Sequence, residues 1–303
     1  MVKLFEEFAQ TCNARILFKE VKMAQELTGK WVLITGAASG IGRETSLLLA
    51  DEGCNLVLVD RDEKGLKTTE EEAKSRGSQV FSMNIDITDS AKILSLANEV
   101  REHCGYIDIL VNNAGVGHSA DLRHTTEEDW RRLFEINFFA QVKMTNSFLP
   151  MLIERRGQIV NISTGQVFYP VPTWGAYAAS KAALATYSEC LSWELSCFGI
   201  KVTTVFPGLI KSHFYNGVRP ANFPQRFVLA YIHALGSTPR KMAKKIVKAI
   251  KRRKRRVIQS WPNWVTYLGR RPLGNLYDLV GEAFAWTLCD RRRGCERLTP
   301  EQT

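Results

Sequence analysis

The sequence predicts a doubly wound α/β domain, a parallel sheet of about seven strands covered by helices on both faces. Short apolar runs, helical stretches between them and glycines at the helix ends all point that way. The runs are Trp31–Thr35, Leu56–Val59, Val80–Met83, Ile109–Val111, Ile159–Ile162, Val202–Val205 and Val257–Gln259. They are rich in β-branched residues and mostly apolar at consecutive positions, as expected of parallel strands buried on both faces. Between them, residues 91–103 place Ile93, Leu94, Leu96, Ala97 and Val100 at helical spacing, and residues 241–250 do the same with Met242, Ile246, Val247 and Ile250. Gly53 and Gly77 follow helical stretches at the positions where a chain can turn out of a helix. The expected organisation is an amphipathic helical extension over 1–28, the α/β domain over 29–260, and a C-terminal extension over 261–303.

Composition narrows the class. The chain has 303 residues, 45% hydrophobic and 24% charged, which is ordinary for a folded globule. Its seven cysteines are an odd number at irregular spacings with no C-x-x-C pair, which fits a reducing compartment. The first residues lack the apolar core of a signal peptide, and no window approaches the ~18 apolar residues of a membrane span. A cytosolic chain is therefore expected. The formal charge of +10 is local: eleven Lys and Arg and no acid lie between Arg240 and Arg256. With those eleven set aside, thirty cations face thirty-one acids and the charge is −1. His103, His118, His124, His213 and His233 have no ligand spacing, so no metal site is expected.

The strand WVLIT runs directly into GAASGIG and then into a helix near Arg43. In that place Gly36 permits a tight turn, Gly40 and Gly42 let backbone amides approach a pyrophosphate, and Ser39 and Ile41 complete the turn beneath the positive end of the helix. The second strand ends at Asp60, eighteen residues after Gly42. That is close to the ~20-residue offset at which an acid accepts hydrogen bonds from the adenosine ribose. An acid there repels a 2′-phosphate and favours NAD over NADP, while Arg61 beside it softens the exclusion and keeps NADP open.

GAASGIG, NNAG at 112–115, Asn137 and YAASK at 177–181 together resemble the short-chain dehydrogenase/reductase family, over about residues 30–260. The resemblance implies a Rossmann-like fold and NAD(P)-dependent oxidation of alcohols or reduction of ketones. It further implies that Asp86 and Ile87 contact adenine and that Asn113, Ala114 and Gly115 brace the ribose. Pro207, Gly208, Ile210 and Ser212, the last in the place of the family's usual threonine, would hold the nicotinamide amide.

Alcohol oxidation needs a hydride acceptor and a base for the hydroxyl proton. Tyr177 and Lys181 lie four apart, on one helix face. A free tyrosine titrates near ~10, and a neighbouring ammonium favours its phenolate. By the resemblance Lys181 also binds the nicotinamide ribose and Asn137 holds a water that leads to solvent. The family's substrate-binding serine falls at Thr164, with Ser163 one residue earlier. A threonine hydroxyl donates the same bond but crowds the substrate. Three options stay open: Thr164 acts, a shift brings in Ser163, or the substrate binds differently.

Residues 209–236 occupy the family's substrate loop and carry Phe214, Tyr215, Phe223, Phe227, Tyr231 and Leu235, with Phe168, Tyr169 and Trp174 just before Tyr177. They suit either a lipophilic substrate of steroid, retinoid or fatty-chain type, placing the protein in lipid metabolism, or plain packing. The run KRRKRR and the tail tryptophans Trp261, Trp264 and Trp286 suit either a peripheral membrane surface or a lid with a solvated cationic end. Cations clustered before the last strand point away from nucleic acid. The resemblance implies a homodimer through the tyrosine helix. The rival reading is a membrane-surface or scaffold protein that binds dinucleotide without turnover.

Overall fold

In the computed structural model of the protein, residues 24–211, 214 and 236–259 are described. The expected N-terminal helix up to residue 23, Ser212, most of the 209–236 loop and the 261–303 extension lie outside them. Among the described residues one parallel sheet has the order β3-β2-β1-β4-β5-β6-β7. The strands are β1 (Trp31–Thr35), β2 (Asn55–Asp60), β3 (Val80–Asn84), β4 (Ile109–Asn112), β5 (Gln158–Ile162), β6 (Lys201–Phe206) and β7 (Arg256–Ile258). Helices α1 (Gly40–Asp51), α2 (Glu63–Lys74), α3 (Ser90–Cys104), α4 (Glu127–Phe134), α5 (Ala140–Glu154), α6 (Gly175–Glu194) and α7 (Pro239–Lys251) connect them. Each apolar run of the sequence is a strand, within a residue or two of its expected ends.

The register explains the two-sided burial. Val32 pairs with Leu56 and Ile109, and Leu33 with Val57 and Leu110. Alternate residues therefore feed opposite layers. Val32, Ile34, Leu56 and Val111 pack under α1, α2 and α7 with Leu47, Leu66, Met242 and Ile246. Leu33, Val57, Leu110 and Ile159 pack under α3, α5 and α6 with Leu96, Met144, Phe148 and Leu191. Each such side chain stabilises the fold by roughly 1.5–3 kcal/mol on burial.

The helix starts are fixed by side chains. Asp62 Oδ1 accepts from Gly65 N at 3.2 Å, Asp89 Oδ1 from Ala91 N at 3.0 Å, and Thr238 Oγ1 from Lys241 N at 3.3 Å. Thr126 and Asp129 form a capping box on α4. Ser39, at the start of α1, makes no such cap. The order of strands reverses between β1 and β4, so a crevice opens at their carboxyl ends, where the sequence put its glycines.

Candidate active site

The turn after β1 is shaped by two glycines. Gly36 has φ +68° and packs against Asn113, whose Nδ2 would lie 2.7 Å from a Cβ there. A Cβ on Gly42 would fall 2.0 Å from the Gly36 carbonyl oxygen. Gly42 thus seats α1 against the strand turn, a second demand for glycine beside the close approach of a phosphate that the sequence predicts. With no side-chain cap on Ser39, the leading N–H groups of α1 are available to an anion. Ile41 is partly buried against the core below them.

Two acids stand at the far ends of β2 and β3. Asp60 Oδ2 accepts from Ala38 N of the glycine turn at 2.9 Å and Oδ1 from Asp62 N at 3.0 Å. Arg61 beside it is exposed. Asp86 Oδ1 accepts from Thr88 N at 2.9 Å, and this bond holds its carboxyl below the ordinary range against the effect of burial, with the Thr88 hydroxyl and the Arg61 charge adding to it. Ile87 is buried next to it.

At the end of β4, Asn113 Nδ2 donates to the Thr35 and Gly36 carbonyls at 2.9 and 3.2 Å. The Thr35 hydroxyl accepts from the backbone N–H groups of Asn113 and Ala114, each at 3.0 Å. Thr35 escaped the sequence reading. Its only signal was a hydroxyl closing an otherwise apolar strand. The Ala114 carbonyl accepts from Gln141 Nε2 at 2.9 Å.

Asn137 sits in a π-turn, Glu135–Phe139, between α4 and α5 and is fully buried. Its side chain pairs with the Val116 backbone like a strand neighbour, accepting from N at 2.9 Å and donating to O at 3.0 Å. It also donates to Ser180 Oγ at 3.1 Å, and Ser180 in turn donates to the Tyr177 carbonyl at 2.7 Å. Ser180, another residue the sequence reading missed, therefore ties Asn137 to the helix of Tyr177. A Cβ on Gly115 would lie 3.0 Å from both Asn137 Oδ1 and Lys181 Nζ, so the missing side chain lets those two groups converge.

Lys181 is 4% exposed and donates from Nζ to the Ile162 carbonyl at 2.9 Å. Burial lowers its pKa from 10.5 to about 8. Tyr177, one turn earlier on α6, is buried against Trp174 and Phe214, with ring centroids 5.5 and 5.6 Å away in edge-to-face geometry. Trp174 follows Thr173, a β-branched residue at φ +71°. Its hydroxyl lies 2.9 Å from that of Ser119, and its carbonyl accepts from Ala120 N at 2.9 Å. Phe168, for which the sequence left a pocket or a packing role open, places its ring near that of Phe206, with centroids 4.7 Å apart.

Ser163 and Thr164 divide clearly. Ser163 Oγ donates to the Lys181 carbonyl at 2.9 Å. Thr164 Oγ1 accepts a long contact from Gln166 N at 3.4 Å, a bond that leaves the hydroxyl proton to donate elsewhere. After β6, the Pro207 carbonyl accepts from Gly165 N at 2.7 Å, Gly208 N donates to Gln259 Oε1 at 3.2 Å, and Ile210 bridges Ser237. Ser212 lies outside the described residues. Among the described residues no three His, Cys, Asp or Glu side chains gather as metal ligands, and no helix is long and apolar enough to cross a membrane.

Comparison with known proteins settles the family. A family model described as short chain dehydrogenase matches residues 30–222. The chain belongs to the short-chain dehydrogenase/reductase family. Within it, "Dehydrogenase/reductase SDR family member 7B" of Danio rerio is 30% identical over 262 residues, 83% of this chain and 85% of that protein. "Probable oxidoreductase EphD" of Mycobacterium bovis is 38% identical over 184 residues, and that match spans only 31% of EphD's length. A short-chain dehydrogenase/reductase from Burkholderia phymatum, solved in complex with NAD, superposes with a TM-score of 0.77 at 25% identity, over 83% of this chain and 96% of that one. An alcohol dehydrogenase from Thermococcus sibiricus, complexed with 5-hydroxy-NADP, shares the fold with a TM-score of 0.67 at 23% identity. The uncapped turn of α1 and the glycine cradle fit the dinucleotide that this family uses.

Proposed function

We propose that this protein interconverts a secondary alcohol and a ketone on a lipophilic substrate, with NAD(P) as hydride carrier. The observation that carries the reading is the convergence of buried Lys181 and Asn137 at Gly115, one helical turn from Tyr177. The nicotinamide, when bound, takes up or supplies the hydride. Gly36, Ser39, Gly40, Ile41 and Gly42 would hold the pyrophosphate, Asp60 the adenosine ribose, Asp86 and Ile87 the adenine, and Asn113, Ala114, Gly115, Pro207, Gly208, Ile210 and Ser212 the nicotinamide half. In oxidation the Tyr177 oxygen accepts the substrate hydroxyl proton while the ammonium of Lys181 favours the phenolate. Thr164 donates to the substrate oxygen, because the Ser163 hydroxyl is bonded to the α6 backbone. Asn137 fixes the loop after β4 and, with Lys181, opens the proton path to water.

The Asp60 carboxylate against the glycine turn supports NAD over NADP, since a 2′-phosphate would meet a fixed negative charge. Trp174 and Phe214 beside Tyr177 support an apolar substrate of steroid, retinoid or fatty-chain type. A homodimer through α6 belongs to the same reading, supported by Trp193 and Phe139, exposed at 58% and 47%. So does a cytosolic protein that touches membranes peripherally, where lipophilic substrates accumulate. Titration with NADH and NADPH, followed by turnover assays on lipophilic ketones, tests the whole. Tyr177→Phe should abolish turnover and leave NADH affinity within about threefold. A wild-type protein that binds NADH but turns over no ketone or alcohol would instead be a dinucleotide-binding scaffold.

A further inference from the structure

The eleven cations between Arg240 and Arg256 sort into two groups. Five are tied down. Arg240 pairs with Glu44 at 3.3 Å and Lys251 with Glu52 at 2.7 Å. Arg253 Nη2 donates to the carbonyls of Arg156, Gly157 and Gly199 at 3.0, 3.1 and 3.1 Å. Arg255 donates to Ser192 Oγ at 2.7 Å, and Arg256 pairs with Glu189. Most of KRRKRR is therefore stitching within the fold.

The other six, Lys241, Lys244, Lys245, Lys248, Arg252 and Lys254, are exposed. Among the described residues none of them forms an ion pair or a side-chain hydrogen bond. The first five recur at i, i+3, i+4, i+7 and i+11, which places them on one stripe about 16 Å long. Acids on the neighbouring α1 do not neutralise it: Glu44 is held by Arg43 and Arg240, Asp51 by Arg76, and Glu52 by Lys251.

We infer that the outer face of α7 docks this protein onto an anionic lipid bilayer. The inference rests on the lipophilic-substrate reading above for its purpose, though not for its test. The opposite face of α7 is spent on the core, with Met242, Ala243, Ile246, Val247 and Ile250 buried, so the helix cannot insert and contact must be electrostatic. Four of the five stripe cations are lysines, compact charges on flexible stems that suit a laterally mobile surface of headgroups. No aromatic residue lies between Lys241 and Arg252 to stack on a base, a feature that nucleic-acid binding would use. It also begins beside the active site. Thr238 caps α7, and its neighbour Ser237 bridges Ile210, so both ends of the segment between them lie at the head of the stripe. Docking there sets that edge of the site against the membrane from which a lipophilic substrate would come.

Sedimentation of the full chain with phosphatidylcholine vesicles, with and without phosphatidylserine, tests this. Binding should require phosphatidylserine, fall steeply with salt, and weaken at least about tenfold in the Lys241→Gln, Lys244→Gln, Lys245→Gln, Lys248→Gln variant. The pair Lys244→Glu and Lys248→Glu should release the protein as well. Each variant should keep the wild-type melting temperature, which separates lost docking from lost folding. Equal binding to neutral vesicles, wild-type binding by the variants, or displacement from the vesicles by duplex DNA would each overturn the inference. Vesicle binding without turnover on any ketone would sink the catalytic reading and leave this one standing.

Discussion

The Ser163 hydroxyl donates to the Lys181 carbonyl, whereas Thr164 keeps a hydroxyl proton to give. One position apart in sequence, the two residues therefore have different jobs. Thr164→Val should lower kcat by about a hundredfold to a thousandfold, the range for one lost donor to a developing oxyanion, with stability little changed. Ser163→Ala should cost about 1 kcal/mol of stability and retain most turnover. Steady-state kinetics and urea melts of both variants would show it, and equal loss of kcat in the two would mean that Ser163 also reaches the substrate. Lys181 carries a pH signature. Burial lowers its amine to about 8 in the fold, while the unfolded chain keeps the ordinary value of 10.5. Below pH 8 the folded state holds a poorly solvated charge. Between about pH 8 and 10.5 the unfolded chain binds more protons, so stability rises with pH, by on the order of 3 kcal/mol in total. Lys181→Met should remove that rise. Urea midpoints on either side of the window should differ less in the variant than in the parent, and an unchanged difference would show that the folded chain solvates the amine.

At the scale of the element, the central strands were legible because parallel strands buried on both faces must be apolar at consecutive positions, and Trp31–Thr35 and Ile109–Asn112 show it. The glycine turn and the Tyr177–Lys181 pair were legible too, since their chemistry lies within a few residues of sequence. What joins elements was not. Thr35 reaches Asn113 and Ala114 across 78 and 79 positions, and Ser180 meets Asn137 across 43, separations that no local period encodes. The π-turn at Glu135–Phe139 was equally hidden, because the backbone is helical on both sides of it, at Phe134 and Ala140. Gly42 shows how a position singled out in the sequence acquires a further reason in the fold: a Cβ there would meet the Gly36 carbonyl. Gly42→Ala should destabilise the fold by about 1–3 kcal/mol and weaken NADH binding, as α1 is pushed off the turn. Gly77→Ala is the comparison, because a Cβ there meets nothing within 4 Å although φ is +87°. It should cost stability alone. Urea melts and nicotinamide fluorescence titrations of the two proteins distinguish these outcomes, and unaltered NADH affinity in Gly42→Ala would refute the seating role.

Across the whole molecule the charge pattern changes meaning once it is folded. In sequence, Arg240 to Arg256 is one basic run, and nothing local separates its members. In three dimensions Arg253 faces inward at φ +46° and gathers the loops after α5 and α6, with Gln25 Oε1 at 3.5 Å as a further acceptor. Gln25 itself donates to the Ile250 carbonyl and to Gln158 at 2.8 and 3.1 Å, so a segment preceding β1 closes the end of the sheet opposite the active site. One guanidinium thus holds together strands that are remote in sequence, which lysine, lacking the planar fork, could not do. Arg253→Gln leaves carbonyls of Arg156, Gly157 and Gly199 without their charged donor. A loss of about 1.5–3 kcal/mol follows, which for a domain of this size lowers Tm by roughly 5 °C. The adjacent Lys254→Gln, with its side chain in water, should leave Tm unchanged. Differential scanning calorimetry of the two variants decides the matter: equal melting temperatures would return Arg253 to the solvated basic run that the sequence alone describes, whereas the expected split would make it part of the framework that keeps the opposite edge of the sheet, and so the active site, in register.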